Sequence, residues 1–407
     1  MDTRNTRRAL VVGLGISGIA TALRLRQIGW EPVIVERAPA RRSFGYFVGL
    51  FGTGRTAAAR LGILDHLEDL AVPGGVVYNT DRAGNRRVGL AFGDLAGSTW
   101  IVTRAEVEAA AFAALPGDVE IRYATVPSGI TQDPDGVDVT LENTLDGSTA
   151  TERFDLVVGA DGMRSTVRSL VFGPHESYLR RLGFMVTSFF ASHPLPGLDR
   201  EDGVILREPG RALWVFPFKD RLPAISTFHR TADVDAEFLQ KPAERLRAAF
   251  GPAPTGKLLG SALDQFEAAE AALFDSTEQV HLDHWHRGRV VLVGDAAWSM
   301  TVFSGMGVST GIAGPELLGT SLLTYPDDIT AALTEWETRL RPFVNYHQKL
   351  AQKQRPILAP ANRRELLTTS TVTRGLQLPA AGPALSRLKS RSKPIRWKAV
   401  DVQDVAA

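Results

Sequence analysis

The chain has 407 residues, a formal net charge of +1 and a hydrophobic content of 44%, a composition that fits one large α/β unit or two domains and excludes a disordered chain. The small, dispersed charge gives no electrostatic footprint for nucleic acid, and no apolar run reaches the roughly 18 residues that span a bilayer. Cysteine is absent, which excludes disulfides, thiolate metal sites and a cysteine nucleophile. The first apolar run begins at Ala9 and stops at Gly13, too short for the apolar region of a signal peptide. A soluble cytoplasmic protein without a metal site is the expectation, and membrane contact is not expected.

The segment ALVVGLGISGIATALRLRQIGWEPVIVER opens on a strand-like run, Ala9 to Val12, followed by Gly13, Gly15 and Gly18 in G-x-G-x-x-G spacing. A helical pattern from Ile16 to about Ile28 ends at Gly29, and a second apolar strand, Pro32 to Val35, delivers Glu36. Gly13 suits the tight turn, Gly15 lets backbone approach a pyrophosphate, and Gly18 allows close packing of helix on strand. Ile16 and Ser17 then lie at a helix N-terminus whose free N–H groups and dipole face the phosphates. Glu36 is placed to accept hydrogen bonds from an adenosine ribose, and its charge repels a 2′-phosphate. The unit therefore predicts FAD or NAD rather than NADP as the resident nucleotide.

Farther along, GLFGTG from Gly49 has suggestive glycines but no acid-ended strand in register, so only one nucleotide fingerprint is present. Strand-like alternation follows from Gly75, and IVTRAEVEAAAF places Arg104 at a helix start. FDLVVGADGMRSTVR, from Phe154, is another apolar strand ending in Asp161 and Gly162. The segments from Leu182 and Gly203 again alternate, residues 235–280 read mostly as helices, and the chain returns to a strand after Ala271. VVLVGDAAWSMTVFSGMG, from Val290, runs off an apolar strand onto Asp295 and closes on Gly305, Met306 and Gly307. An unpaired carboxylate there would cost several kcal/mol, so a partner must satisfy it. The tail from Thr330 begins as an amphipathic helix broken at Pro356, and the basic stretch from Leu385 reads as a solvated end helix.

Three ordered motifs, G-x-G-x-x-G, D-G-x-x-S-x-V-R and G-D-A-A, frame about 300 residues, and in them the sequence resembles the FAD-dependent aromatic hydroxylases. These are the single-component monooxygenases of the p-hydroxybenzoate hydroxylase fold, which include tetracycline-modifying and polyketide-tailoring members. The resemblance implies an α/β fold: a Rossmann-like FAD-binding domain, an inserted mixed β-sheet substrate domain and a C-terminal helical segment. The expected boundaries are 1–75, 100–175 and 281–345 for the discontinuous FAD domain, 76–99 and 176–280 for the substrate domain, and 346–407 for the helical tail. By the resemblance Asp295 binds the ribitol of FAD, the helix after Gly305 and Gly307 faces the flavin, Asp161 and Gly162 serve FAD and the nicotinamide cofactor, and Arg104 reaches FAD. Arg37 and Arg42 either touch adenosine or flavin or are solvated surface charge.

The third motif departs from its relatives: Trp298 replaces a histidine, Thr301 and Val302 stand where prolines are expected, Met306 replaces a glutamine, and Ser309 an asparagine near the flavin. Pro315 in the next helix is expected to kink it. Trp298 is either core or an aromatic wall for a flat substrate, and Trp214 and Phe216 are further candidates for the substrate pocket. The implied function is oxygenation, by hydroxylation or epoxidation, of a bulky aromatic or polyketide-like small molecule. It would use NADPH or NADH and O₂ through a flavin C4a-hydroperoxide, and no catalytic acid or base is identifiable. The altered loop leaves two alternatives: an FAD-bound enzyme of non-redox cyclisation, and a flavin-binding protein without activity. WVFP from Trp214 lacks the paired tryptophans of flavin halogenases.

Overall fold

Each of the three sequence motifs follows a buried strand, and those strands lie side by side. The computed structural model describes residues 6–41, 45–89, 99–376 and 392–405. Its six-stranded sheet runs in the order His286–Arg287, Val290–Leu292, Leu156–Gly159, Arg8–Val12, Glu31–Val35, Glu120–Arg122. All neighbours are parallel except the first pair. The run of Ala, Leu and Val from Ala9 to Val12 is buried on both faces, as a central parallel strand requires. Because the three motif strands are adjacent and parallel, all their carboxyl ends open on one edge of the sheet, where ligands of open α/β sheets bind.

A seven-stranded mixed sheet combines Val77–Thr80 and Arg86–Val88 with five strands between Leu179 and Val280. Its side chains alternate with period two. Leu213, Val215, Ile225 and Phe189 pack against the helices Pro242–Phe250 and Gly256–Glu267. Val186, Trp214, Phe216 and Phe228 face the opposite way. A three-stranded sheet, 125–154, and a hairpin-like pair, Phe47–Phe51 with Thr99–Thr103, complete the strands.

Two helical expectations are corrected. The helix from Ile329 is not broken at Pro356 but runs 30 residues to Leu358, through Pro342 and Pro356. Pro356 lies near the end and removes only its own hydrogen bond, and Ala359 N–H closes the last turn on Arg355 O at 2.7 Å. The expected boundary at 345/346 therefore falls inside one helix. The basic stretch from Leu385 lies outside the described residues up to 391; beyond it the helix Lys393–Ala399 is docked by one face, with Trp397 stacked on Phe343 and Lys398 buried, while Lys393 and Arg396 stay exposed. Pro315 lies within the helix Gly307–Thr324, which continues past it. Among the described residues no helix is long and apolar enough to cross a membrane.

Candidate active site

Interlocking contacts draw the three motifs together. A Cβ on Gly13, which has φ +106°, would stand 2.7 Å from Ala160 O, so the first turn touches the second motif as only glycine permits. A Cβ on Gly294 would meet Ser17 Oγ at 2.3 Å, locking the first turn against the third motif. The buried Arg168 donates to Ala296 O at 2.8 Å and so ties the second motif to the third. Gly18 packs on the turn itself, since a Cβ there would stand 1.9 Å from Gly13 O.

Beside this junction lies a cavity of about 1330 Å³. That exceeds the 300–1,000 Å³ typical of a pocket for one drug-sized ligand and leaves space for a nucleotide and a second molecule. Gly15, Ile16, Ser17, Gly162, Arg104, Asp295, Gly305 and Gly307 all line it. The Cβ positions of Gly162 and Gly307 meet nothing within 4 Å. The helices Ile16–Gln27 and Gly307–Thr324 begin here without a side-chain cap and without an acid in the first turn. Their free N–H groups therefore favour an anion.

Asp295 is deep in the protein, yet its side chain is open to the cavity. Burial raises its carboxyl above the usual range, and the Arg104 guanidinium pulls it back down. Arg104 itself pairs with Glu108 at 3.0 Å, and Thr103 and Glu106 form a capping box that fixes this helix start. Asp161 turns inward: Oδ2 accepts from the N–H groups of Thr166 and Val167 at 2.6 and 3.1 Å. Its Oδ1 is buried without a partner, and burial raises its pKa. Glu36 accepts from the N–H groups of Leu14 and Ala38, both at 2.9 Å, which leaves each oxygen a further lone pair. Arg37 is exposed and donates to Thr166 Oγ1, and Arg42 lies outside the described residues.

The far wall is the alternating face of the seven-stranded sheet: Val186, Trp214, Phe216 and Phe228. Trp214 Nε1 donates to Leu358 O at 2.9 Å, and Phe216 stacks on Phe47 with centroids 3.8 Å apart. Within this apolar wall Ser188 and Ser226 share a hydrogen bond at 2.9 Å. The bond uses one of two hydroxyl protons and leaves the other to donate into the cavity.

A family model described as an FAD binding domain matches residues 6–325. The chain belongs to this family of FAD-dependent monooxygenases. A flavin-dependent monooxygenase from an unknown prokaryotic organism is 28% identical over 350 residues, covering 84% of this chain and 88% of its own. Among solved structures, tetracycline destructase Tet(51) matches with a TM-score of 0.73 at 23% identity, over 96% of this chain and 100% of that one. Klebsiella pneumoniae HpxO, solved with FAD and uric acid, matches with a TM-score of 0.75 at 19% identity, over 98% and 99%. This flavoprotein is an FAD-dependent oxidoreductase.

The residues present fit FAD: two uncapped helix N-termini, glycines that leave the channel open and the cavity-facing Asp295, whereas the Asp161 carboxylate turns inward and does not line the cavity. Three sequence expectations need correction. Trp298 does not line the cavity; it is buried among Trp285 and Trp336, at centroid distances of 4.7 and 5.8 Å. The Met306 side chain is also in the core, so its part in the loop is played by backbone. Ser309 is buried away from the cavity, where its Oγ accepts from Phe51 N–H at 3.1 Å. Sequence reasoning missed Tyr46, the Ser188 and Ser226 pair and Lys398, all of which line the cavity or its wall. Only the strand alternation around Ser188 and Ser226 signalled any of them.

Replacing Asp295 by alanine in this flavoprotein is expected to weaken FAD binding by about 10- to 100-fold, the value of a hydrogen bond to a charged group. Titration of apoprotein with FAD, followed by quenching of flavin fluorescence, measures it. Unchanged affinity would remove Asp295 from the cofactor site.

Proposed function

We propose that the protein oxygenates a bulky, flat aromatic or polyketide-like molecule, with NADPH or NADH as reductant and O₂ as co-substrate. The observation that supports this reading is the cavity, in which the glycine-rich turn of the first motif and an aromatic sheet face share one continuous space. When bound, FAD supplies the hydride acceptor and the oxygen activation; the protein supplies position and exclusion of water. Gly15, Ile16 and Ser17 would hold the pyrophosphate on their N–H groups, Asp295 a ribitol hydroxyl, and Glu36 the adenosine ribose. The N-terminus of the helix Gly307–Thr324 favours negative charge at the flavin.

On the substrate side, Trp214, Phe216 and Phe228 suit an aromatic face, and the free hydroxyl proton of the Ser188 and Ser226 pair suits a carbonyl acceptor. The third-motif loop, which lines the same cavity, is strained: Thr301 holds φ +68°, a region a β-branched residue rarely adopts. Its carbonyl accepts from Ser304 N–H and Ser304 Oγ, bonds that hold this conformation beside the cavity.

The test is NAD(P)H consumption by the FAD-loaded protein with a panel of polycyclic phenols and quinones, under isotopically labelled dioxygen. Incorporation of one labelled oxygen atom into a product supports the reading. Full FAD occupancy with no reduction by either nicotinamide under any ligand would instead favour a non-redox use of the cofactor.

A further inference from the structure

The terminal segment delivers to the cavity a charge that no acidic group among the described residues pairs with. Thr53 Oγ1 donates to the carbonyl groups of Lys398 and Val400 at 3.1 and 2.6 Å, and Arg60 pairs with Asp401. A Cβ on Gly52 would stand 2.9 Å from Ala399 Cα, so the tail lies directly on the start of the helix Gly52–Arg60. These contacts fix the backbone and turn Lys398 inward. The residue is 6% exposed and lines the cavity.

Its ammonium rests 4.5 Å from the centroid of the Phe51 ring, and that ring in turn stands 3.4 Å from the Cβ position of Gly305. Lys398 is thus placed at the end of the cavity formed by the third-motif loop. Its ammonium makes no hydrogen bond and no ion pair with the described residues. The titratable group facing it from the long helix is His347, whose ring is buried with neither nitrogen partnered and is pushed down to about 3 by burial and by the lysine charge. Burial likewise pushes Lys398 down to about 8.

Other cations of the cavity are accounted for. Arg104 pairs with Glu108 and Arg164 with Asp275, while Lys353 and Arg364 are exposed to water. A cation–π contact offsets only part of the desolvation cost of burying an ammonium. Among the described residues no carboxylate meets the N–H donors of the Lys398 ammonium, and the side chain lines the cavity.

We propose that Lys398 determines substrate specificity by donating a charge-assisted hydrogen bond to an anionic oxygen of the substrate, an ionised enol, phenol or hydroxyquinone. The inference rests on the oxygenase reading and names the substrate class it takes. Such a pairing restores to the lysine the counter-charge that folding withholds.

The experiment titrates the FAD-loaded protein with the hydroxynaphthoquinone lawsone, an acidic enol, and with its O-methyl ether, following the flavin absorption spectrum. The native protein is expected to prefer lawsone by about 10-fold or more, as a charged hydrogen bond requires. Lys398→Met should abolish the preference, and Lys398→Arg should retain part of it. Loss of an unpaired buried cation does not weaken folding, and the native preference stands as a measurement without any variant. Equal binding of the two quinones, no binding of lawsone, or a preference that survives Lys398→Met overturns the proposal. If the preference survives while the flavin reduction potential shifts, the charge serves the reduced cofactor instead. A protein that takes up no FAD at all would overturn the parent reading rather than the role of Lys398.

Discussion

Gly15→Val is expected to give a folded protein that purifies without flavin. Gly15 has φ −80° and ψ −179°, extended backbone that valine adopts readily, and the nearest heavy atom to an added Cβ is the Arg104 guanidinium at 4.0 Å. Nothing in the fold opposes the substitution. The added methyl groups instead enter the channel in front of the Ile16 and Ser17 N–H groups, the proposed seat of the pyrophosphate. Loss of about two charge-assisted hydrogen bonds lowers FAD affinity by on the order of 100-fold or more. Flavin content by absorbance, with thermal unfolding as the control, measures both parts. Gly18→Ala provides the contrast, because its Cβ would meet backbone at 1.9 Å. It should cost more than the roughly 1–3 kcal/mol of ordinary overpacking and reduce folding itself. A Gly15→Val protein that purified yellow would remove the first turn from the cofactor site.

Trp298→Ala should destabilise the protein by about 3–5 kcal/mol, the usual cost of emptying a large aromatic site. The indole is packed against Trp285, Trp336 and the backbone of the helix Gly307–Thr324, where a Cβ on Gly314 would stand 2.8 Å from the ring. Its Nε1 makes no hydrogen bond, so Trp298→Phe forfeits contact area alone and should cost less. Denaturant unfolding at saturating FAD measures the difference. Near-native stability together with a changed substrate KM would return Trp298 to the cavity wall and contradict the structure described above.

These two residues show what could be read from the chain and what could not. Gly13, Gly15 and Gly18 were legible because a strand, a turn and a helix contiguous in sequence form the whole device, so local spacing encodes it. Asp161 and Asp295 were legible as strand ends, and the adjacency of their strands follows from parallel α/β topology. Trp298 was ambiguous because a tryptophan after a strand fits a core and a pocket wall equally. Which one holds depends on Trp285 and Trp336, brought together only by the long helix. Lys398 was invisible as a site residue: in sequence it belongs to a basic tail, and its burial depends on contacts with Phe51 and Thr53, more than 300 residues away. Met306 and Ser309 fell in a recognisable loop, but spacing does not say which side chains of that loop turn to the core.

The most direct measurement of the central claim is the flavin spectrum of the purified protein, followed anaerobically as NADPH or NADH is added with and without polycyclic aromatic ligands. One FAD per chain and bleaching that a ligand accelerates are expected, because the cavity has room for both the cofactor and an aromatic molecule. A protein without FAD, or with FAD that neither nicotinamide reduces in the presence of any bound ligand, would contradict that claim.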